Sequence, residues 1–357
     1  MTKNNYKSTV KTASYNIVIG QDIFGELSSF ILKNKYSSVF VLTDKTLYKL
    51  YGAKLKKTLP RAKFITVPAG EKYKNLKTLE YIWQQLFRYG ADRHSLLINF
   101  GGGVIGDMGG FAAGVYMRGM NFAQVPTTLL AQVDASVGGK TAVDLNNAKN
   151  IIGAFVRPAL VLIDVDTLKT LPYRELLSGY AEVIKHGLIK DKKYFNEVNK
   201  KDLKKLTPKE LAEIIKKSCQ IKYSFVEQDE HEKGPRKILN FGHTIGHAVE
   251  SLSFKTKHPL LHGEAVALGM ISAAKLSVLK GLIKEEDFIL IKESLEKHGF
   301  ALKYPYAKKA EILKLILKDK KNKGKVVKWT LLNSIGGAVY DVECTQAQIS
   351  VAADEIL

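Results

Sequence analysis

The pattern of hydrophobic and polar positions changes along the chain. In the first half, short apolar runs rich in β-branched residues predict strands at 38–44, 63–70, 95–103 and 159–165. Residues 76–90 lie between two of these runs, with apolar positions at helical spacing and a glycine at the end, which predicts a helix. Alternating strands and helices are typical of a mainly parallel sheet with helices outside it.

From about residue 171 the apolar spacing becomes helical almost throughout. A late β-hairpin is predicted at 325–343, with Gly-Gly at its bend. We therefore expect an α/β protein with a sheet domain (1–170), a mostly α-helical domain (171–357) and the active site in the cleft between them. The predicted helices of the second half are 174–189, 209–228, 244–252, 263–282 and 286–299.

The composition is that of an ordinary globular protein. The 357 residues are 45% hydrophobic and 25% charged, and two cysteines are too few for a disulfide framework or a cysteine-rich zinc module. The first twenty residues lack the apolar core of a signal peptide, and no apolar run approaches the roughly 20 residues that span a bilayer. We expect a cytoplasmic protein without a membrane partner.

The net charge of +20 allows three kinds of partner: nucleic acid, an anionic surface or an anionic small substrate. Many lysines lie at helical spacing among apolar residues, so solvated helix faces explain much of the charge. Basic stretches are not interleaved with stacking aromatic residues, and no nucleic-acid-binding motif is present. We therefore do not expect nucleic acid binding as the main function.

Four of the eight histidines lie within residues 241–264. His243 and His247 are four apart and would share one face of a helix, and His262 follows in a short His-Gly-Glu turn. Neutral imidazoles at this density commonly bind a divalent metal, and three protein ligands with an open position are typical of a catalytic site. The alternative is a histidine that caps a helix, with the others in the core or on the surface.

A glycine-rich turn follows the strand predicted at 95–103. Gly101, Gly103 and Gly106 satisfy the G-x-G-x-x-G spacing, which lets a pyrophosphate approach the backbone and a helix N-terminus. The usual acid about 20 residues later is missing, and Asp44, at the end of an earlier strand, is a better ribose acceptor. A tight strand-to-helix turn without a ligand is the alternative.

Three further groups of residues have the chemistry of a site. Lys140 follows Gly-Gly and suits an anion, although the segment fails the P-loop pattern and the lysine could be an ordinary exposed one. Glu182 and Lys185 interrupt an apolar helix, either as a buried group or as a surface ion pair. Arg236 and Asn240 precede His243, and arginine is the natural bidentate partner of carboxylate or phosphate.

Nine short motifs, some of which contain the residues discussed above, follow one another along the chain. They are GGGVIGDMGGFAAG, YMRG, QVPTTLLAQVDASVGGKTAVD, KNIIGAF, LKTLPYREL, SGYAEVIKHG, LNFGHTIGHAVE, LHGEAVALGM and KDKK. The chain resembles the 3-dehydroquinate synthase family from about residue 14 to the C-terminus. The resemblance implies a Rossmann-like N-terminal domain, an α-helical C-terminal domain, NAD+, one divalent metal (zinc, with cobalt possible) and a homodimer in which Arg118 reaches the neighbouring site.

The resemblance also implies roles for individual residues. The metal ligands would be Glu182, His243 and His262. The NAD+ contacts would be Asp44, Glu71, Lys74, Gly102, Gly103, Asp107, Thr127, Thr128, Lys140, Lys149 and Thr170. The substrate contacts would be Arg118, Lys140, Asn150, Arg236, Asn240 and Lys320 or Lys321, and the catalytic residues Asp134, Lys185, Lys222 and His247.

The implied reaction converts 3-deoxy-D-arabino-heptulosonate 7-phosphate to 3-dehydroquinate and phosphate, the second step of the shikimate pathway. It combines a transient oxidation by NAD+, phosphate elimination, re-reduction, ring opening and an intramolecular aldol closure. Alternatives are a related cyclase whose substrate lacks the carboxylate, a metal-dependent polyol dehydrogenase that releases NADH, and a non-enzymatic basic binding protein. Arg236 with Asn240 favours the dehydroquinate reaction.

Overall fold

The computed structural model describes residues 6–146, 148–321 and 327–357, without the side chains of 317–321. The chain divides into two compact units. The first consists of Met1–Leu171 with Thr207–Tyr223, and the second of Pro172–Leu206 with Ser224–Leu357.

A seven-stranded sheet forms the centre of the first unit. Its strand order is β1-β2-β9-β6-β5-β3-β4, and every neighbouring pair is parallel except β1–β2. A separate antiparallel pair, β7–β8, lies in the same unit. The strands are β1 (Lys7–Lys11), β2 (Asn16–Gly20), β3 (Val39–Asp44), β4 (Lys63–Val67), β5 (Leu96–Gly101), β6 (Asn121–Pro126), β7 (Lys140–Leu145), β8 (Ala148–Phe155) and β9 (Leu160–Asp164).

Both faces of the sheet are covered, as the apolar strand pattern predicts. Phe40 and Leu42 belong to one buried cluster, whereas Val41 between them belongs to another, because alternate residues of a strand point to opposite faces. Two of the first four helices begin at a side-chain cap: Asp44 accepts two backbone N–H groups at the start of the helix Lys45–Thr58, and Asn75 accepts one at the start of the helix Leu76–Arg88. The first four helices are α1 (Gly25–Asn34), α2 (Lys45–Thr58), α3 (Leu76–Arg88) and α4 (Gly103–Val115).

The strand order reverses at β3. The chain passes from β3 to β4 at the edge of the sheet and then returns to place β5 on the other side of β3. In open parallel sheets such a reversal leaves a crevice at the carboxyl ends of the two strands, where ligands commonly bind. The carboxyl ends of β3 and β5 are therefore the expected ligand edge of this sheet.

The second unit is mainly helical, with one antiparallel hairpin of β10 (Lys328–Ser334) and β11 (Gly337–Glu343). Gly336 takes a φ of 93° at the bend, a conformation that favours glycine. The helix α7 (Pro208–Gln228) contains residues of both units. The other helices are α5 (Tyr173–Lys190), α6 (Lys192–Lys200), α8 (His243–Ser253), α9 (His262–Leu279), α10 (Glu285–His298), α11 (Lys309–Lys321) and α12 (Gln346–Asp354).

The predicted fold class is confirmed: a mainly parallel sheet in the first unit and mostly helices in the second. The strands and helices named from the sequence are all present, with ends that shift by a few residues. Within the described residues, no helix combines the length and apolar character needed to cross a bilayer.

Candidate active site

Three histidines come together in the second unit. His243 is the first residue of α8 and His262 the first of α9, so His262 begins a helix where the sequence suggested a short turn. Their ring centroids lie 5.4 Å apart, and the exposed ring of His247 lies 5.1 Å from His243 and 5.7 Å from His262. The clustering predicted from spacing is therefore present.

Glycines allow α8 and α9, which carry the three histidines, and the neighbouring α5 to approach closely. A Cβ atom at Gly263 would lie 1.8 Å from the carbonyl oxygen of Ser178 in α5. A Cβ atom at Gly269 of α9 would lie equally close, 1.8 Å, to the carbonyl oxygen of Gly242, which precedes α8. Since no side chain fits at either position, glycine is required for this packing of α5, α8 and α9.

Glu182 of α5 faces two of the histidines. Its side chain is fully buried, and Oε1 lies 3.6 Å from His243 Nε2 and 3.8 Å from His262 Nε2. Lys185 Nζ forms an ion pair with the other oxygen, Oε2. Oε1 receives no hydrogen bond from any residue in the described parts of the chain, and a buried carboxylate oxygen without a partner is costly. Both residues are buried, so the pair is not on the surface.

The other ring nitrogens of the two histidines are engaged. His243 Nδ1 lies 3.2 Å from the carbonyl oxygen of Phe241, and His262 Nδ1 lies 3.3 Å from Glu250 Oε2. Donation of each Nδ1–H to these acceptors leaves the Nε2 lone pairs pointing toward Glu182. Burial, and then the charge of Lys185, lowers the pKa of His243 well below its ordinary value, so this ring is neutral.

These residues fit a divalent metal. Donor atoms bound to one tetrahedral zinc at about 2.0–2.1 Å lie about 3.4 Å apart, close to the separations of Glu182 Oε1 from both Nε2 atoms. His243, His247 and His262 each also offer a nitrogen, and these three atoms lie within 4.8 Å of one another, so His247 competes with Glu182 as the third ligand.

Glu250, which holds the His262 ring, was not predicted from the sequence. The signal that could have indicated it is an acid within the apolar stripe AVESL.

In the first unit, the predicted NAD+ residues gather at the carboxyl ends of adjacent strands. Asp44 ends β3, Gly102 and Gly103 follow β5, and Thr127 follows β6, where its N–H donates to the carbonyl oxygen of Gly101. A Cβ atom at Gly102 would lie 3.0 Å from Thr128 Cγ2. This is the edge where the strand order reverses, so the structure brings these residues to the expected ligand edge.

The helix after the glycine turn packs tightly onto the sheet. A Cβ atom at Gly106 would lie 3.1 Å from Gln124 Oε1, and one at Gly109 would lie 1.9 Å from Asn99 Oδ1. The third glycine of a dinucleotide-binding turn serves this close packing of helix on strand. The strand, turn and helix around G-x-G-x-x-G are thus present as predicted.

A second predicted group surrounds a buried lysine. Lys74 Nζ lies 2.6 Å from Asp107 Oδ2 and donates to Asn150 Oδ1, and Lys149 Nζ lies 3.8 Å from Glu71 Oε1. Burial alone would lower the pKa of Lys74, but the charge and hydrogen bond of Asp107 outweigh it and raise that pKa. Lys74 is therefore a fixed, charged donor among the predicted NAD+ contacts.

Asp134 and Lys222 form a further pair in the same unit. Lys222 Nζ lies 2.7 Å from Asp134 Oδ1 and 2.6 Å from the Asp134 carbonyl oxygen, and Asp134 lies in a π-helical turn, Ala131–Ala135. Such turns occur frequently at functional sites.

Two further predicted NAD+ contacts lie in the same unit. Thr170 Oγ1 lies 2.7 Å from Tyr51 Oη, and Lys140 is an exposed residue at the start of β7.

The remaining predicted residues lie in less regular segments. Arg236 and Asn240 belong to a 3-10 turn, Pro235–Asn240, where Arg236 Nη1 donates to the carbonyl oxygen of Glu230 and Asn240 Nδ2 to Glu232 Oε1. Arg118 is exposed, with a φ of 65°. The side chains of Lys320 and Lys321, at the end of α11, lie outside the described residues.

Comparison with known proteins agrees with this geometry. Residues 64–178 match the family model for the 3-dehydroquinate synthase N-terminal domain, and residues 179–322 match the model for its C-terminal domain. The chain belongs to the 3-dehydroquinate synthase family. The 3-dehydroquinate synthase of Thermodesulfovibrio yellowstonii is 42% identical over 96% of this chain and 97% of the relative.

Two solved cyclases have the same fold as this member of the 3-dehydroquinate synthase family. A 2-deoxy-scyllo-inosose synthase complexed with carbaglucose-6-phosphate, NAD+ and Co2+ matches with a TM-score of 0.89 and 27% identity, covering 99% of this chain and 100% of that one. ValA, a 2-epi-5-epi-valiolone synthase from Streptomyces hygroscopicus subsp. jinggangensis with NAD+ and Zn2+ bound, matches with a TM-score of 0.86 and 26% identity, covering 97% of each chain.

Proposed function

We propose that the protein is a 3-dehydroquinate synthase, which converts 3-deoxy-D-arabino-heptulosonate 7-phosphate to 3-dehydroquinate and phosphate in the shikimate pathway. The observation that carries this proposal is the convergence of His243 Nε2 and His262 Nε2 on Glu182 Oε1, in a chain that matches a 3-dehydroquinate synthase over 96% of its length. The proposal assigns NAD+ binding to a domain of residues 1–170, and metal and substrate binding to a domain of residues 171–357.

Two groups that the chain would bind supply chemistry that side chains lack. When bound, NAD+ supplies a reversible hydride acceptor, and a zinc or cobalt ion supplies a Lewis acid for a developing oxyanion. We assign the metal to Glu182, His243 and His262, because the Nδ1 atoms of both histidines have acceptors and both Nε2 atoms face a buried carboxylate oxygen. His247 is exposed and is assigned to the substrate.

The NAD+ assignments rest on residues at the carboxyl edge of the sheet. The N-terminus of α4, at Gly102 and Gly103, offers backbone N–H groups and a positive dipole end for the pyrophosphate. Asp44 suits a ribose hydroxyl as a carboxylate acceptor. The other proposed NAD+ contacts are Glu71, Lys74, Asp107, Thr127, Thr128, Lys140, Lys149 and Thr170.

Proton transfers and substrate positioning are assigned to charged pairs. Asp134 and Lys222 hold an acceptor and a donor within hydrogen-bond distance, so either can move a proton or orient a hydroxyl, and Lys185, which is paired with Glu182, can do the same. Arg236 is the proposed partner of the substrate carboxylate, which it can bind in a bidentate manner. The remaining substrate contacts are Arg118, Lys140, Asn150, Asn240 and Lys320 or Lys321.

A homodimer is part of the proposal. Val115 and Met117 are exposed apolar residues near the end of α4, and Phe155 of β8 is also exposed. These surfaces adjoin one another, because a Cβ atom at Gly114 would lie 2.5 Å from Val156 Cγ2. Exposed apolar residues grouped in this way are typical of a protein interface. Arg118 lies beside this group, which supports its proposed contact with the neighbouring site.

Substrate choice separates this function from that of the solved 2-deoxy-scyllo-inosose synthase, which holds carbaglucose-6-phosphate. We expect phosphate release from the heptulosonate phosphate and none from glucose 6-phosphate, which lacks the carboxylate. Arg236→Lys keeps the charge but loses the planar fork, so KM for the heptulosonate phosphate should rise at least roughly tenfold, the effect of losing a charged hydrogen bond worth about 1.5–3 kcal/mol. Initial rates of phosphate release measure both effects.

The control for this substitution is Lys237→Arg, a charge-conserving change at the next residue, whose ammonium pairs with Asp341. It should leave KM unchanged. Equal phosphate release from both sugar phosphates would reject the dehydroquinate assignment, and an unchanged KM in Arg236→Lys would reject the role given to Arg236.

A further inference from the structure

One face of α5 contacts the segment that carries His262. Arg174, Ser178 and Glu182 are spaced four residues apart, so their side chains lie along a single face, each about one helical turn from the next. Glu182 is the proposed metal ligand at one end of this row. Arg174 and Ser178 have no role in the function proposed above.

Arg174 holds the segment on both sides of His262. Its Nε lies 2.7 Å from Glu264 Oε1 and its Nη2 2.7 Å from Glu264 Oε2, which is a bidentate pairing. The same Nη2 donates to the carbonyl oxygen of Pro259 at 2.7 Å. Glu264 Oε2 also accepts the N–H of Leu261 at 2.7 Å, which closes the first turn of α9.

Ser178 holds the residue after His262. The N–H of Gly263 donates to Ser178 Oγ at 2.9 Å, and no side chain fits at Gly263. The next turn of α5 then presents Glu182, whose Oε1 lies 3.8 Å from His262 Nε2. The three contacts of α5 therefore fix the backbone before and after His262 and the position of its ring relative to the carboxylate.

Arg174 is not placed where it would stabilise its own helix. It lies in the first turn of α5, where the positive end of the helix dipole disfavours a cation. Its side chain is 56% exposed, and exposed ion pairs add little to the stability of a protein. The three hydrogen bonds of Arg174 instead orient the segment that begins α9.

We propose that Arg174 and Ser178 are positioning residues that hold His262 Nε2 toward Glu182 for metal binding. This inference rests on the proposed function, because it takes Glu182, His243 and His262 as the ligands. Residues that orient a metal ligand from outside the coordination sphere typically change metal affinity by 10–100-fold when they are lost.

The test compares Arg174→Ala, Arg174→Lys and Ser178→Ala with the wild type. Zinc affinity of the metal-free protein is measured by competition with a chromophoric chelator, and the visible absorption spectrum of the cobalt-loaded protein reports the geometry of the ligands. Arg174→Ala should raise the zinc Kd about tenfold or more. Arg174→Lys, which keeps the charge without the fork, should recover part of the affinity, and Ser178→Ala should weaken binding several-fold.

A structural role is separated from a positioning role by two further measurements. The melting temperature of the metal-free variants should stay within a few degrees of the wild type, and saturating zinc should restore the kcat that is lost at limiting zinc. The matched control is Glu285→Gln, which removes an ion pair of 2.9 Å between Lys275 of α9 and α10. It should leave the zinc Kd and the cobalt spectrum unchanged.

Each outcome has a defined meaning. Wild-type zinc affinity and an unchanged cobalt spectrum in Arg174→Ala and Ser178→Ala would overturn the positioning role while leaving the proposed function intact. Equal weakening in Glu285→Gln would also overturn it, because the effect would then be general to α9. A wild-type protein that binds no zinc would overturn the ligand set and the proposed function together. If Arg174→Ala does not fold, Ser178→Ala and Arg174→Lys decide the result.

Discussion

Glu182 is the residue on which the proposed metal site depends most. A fully buried carboxylate is costly unless it is paired, and Lys185 engages only one of its oxygens. Because His243 is neutral at physiological pH, its ring does not compensate the second oxygen as a cation would. A metal at this position would bind Oε1 and both Nε2 lone pairs at once.

The first prediction concerns the identity of the third ligand. Glu182→Gln and His262→Ala should each raise the zinc Kd by more than about 100-fold, beyond the effect typical of residues outside the coordination sphere. His247→Ala should leave zinc binding almost unchanged, because Glu182 rather than His247 completes the set. Equilibrium dialysis with zinc, followed by metal analysis of the protein, measures all three.

His247→Ala is the matched control for His262→Ala, since both remove one imidazole from the same cluster. If all three variants lose zinc equally, the three histidines and Glu182 act together and our ligand set is wrong. If His247→Ala loses zinc while Glu182→Gln keeps it, the ligands are the three histidines.

For single residues, the sequence predicts which residue types form the site better than it predicts which of them contact one another. Spacing alone indicated His243 and His247 as a helical pair, and they do lie on one helix with adjacent rings. Spacing could not indicate Glu250 as the partner of His262, because the contact depends on the separate paths of α8 and α9. The same is true of Arg174 and Glu264, which are 90 residues apart in the chain.

The helices of the proposed metal site pack closely because glycines line their contact. Gly269 of α9 lies against the carbonyl oxygen of Gly242, the residue before His243. A Cβ atom at Gly246 of α8 would lie 3.0 Å from the carbonyl oxygen of Ala265. The distance between α8 and α9, and thus the distance between His243 and His262, depends on the absence of side chains along this contact.

The second prediction follows from this contact. Gly269→Ala should destabilise the protein by about 1–3 kcal/mol, the range for overpacking a core, because the new methyl group overlaps the Gly242 carbonyl. It should also weaken zinc binding, since separating α8 from α9 moves His243 away from His262. Urea unfolding and the zinc Kd measure the two effects.

Gly25→Ala is the control, because a Cβ atom at Gly25, the first residue of α1, meets nothing within 4 Å. It should leave the zinc Kd unchanged and should not lower the unfolding midpoint, because alanine fits a helical position without strain. A Gly269→Ala variant with wild-type stability and zinc affinity would show that α8 and α9 can separate without consequence, contrary to our interpretation of the site.

The elements predicted from the sequence are those with strong patterns. The strands β3, β5 and β9 are continuous apolar runs, and both faces of each are buried. The strand β6 was missed, because its sequence NFAQVP contains amide side chains and a proline and lacks a strand pattern. The pair β7–β8 was also missed, because its residues were interpreted as a loop and a motif.

At the scale of the whole molecule, the change of pattern near residue 171 marks where helices become dominant. It does not reveal which residues pack together, since Thr207–Tyr223, which includes most of α7, belongs to the first unit. The contacts responsible include a hydrogen bond from Cys219 Sγ to the carbonyl oxygen of Gln132, which joins positions 87 apart. Such packing has no signature in local spacing.

The net charge of +20 also belongs to this scale. A strongly positive protein attracts anionic ligands and raises their association rates, an effect that salt weakens. The proposed substrate carries both a phosphate and a carboxylate. The charge is therefore consistent with the proposed reaction, whereas the family match and the site geometry carry the assignment.

In the proposed reaction the protein performs a cyclisation in which NAD+ is consumed and regenerated. The most direct measurement mixes the protein with the heptulosonate phosphate, NAD+ and zinc, and follows phosphate, dehydroquinate and NADH absorbance in one reaction. We predict that phosphate and dehydroquinate appear in equal amounts while NADH does not accumulate. Accumulation of NADH in proportion to turnover, or phosphate release without dehydroquinate, would contradict the proposed function.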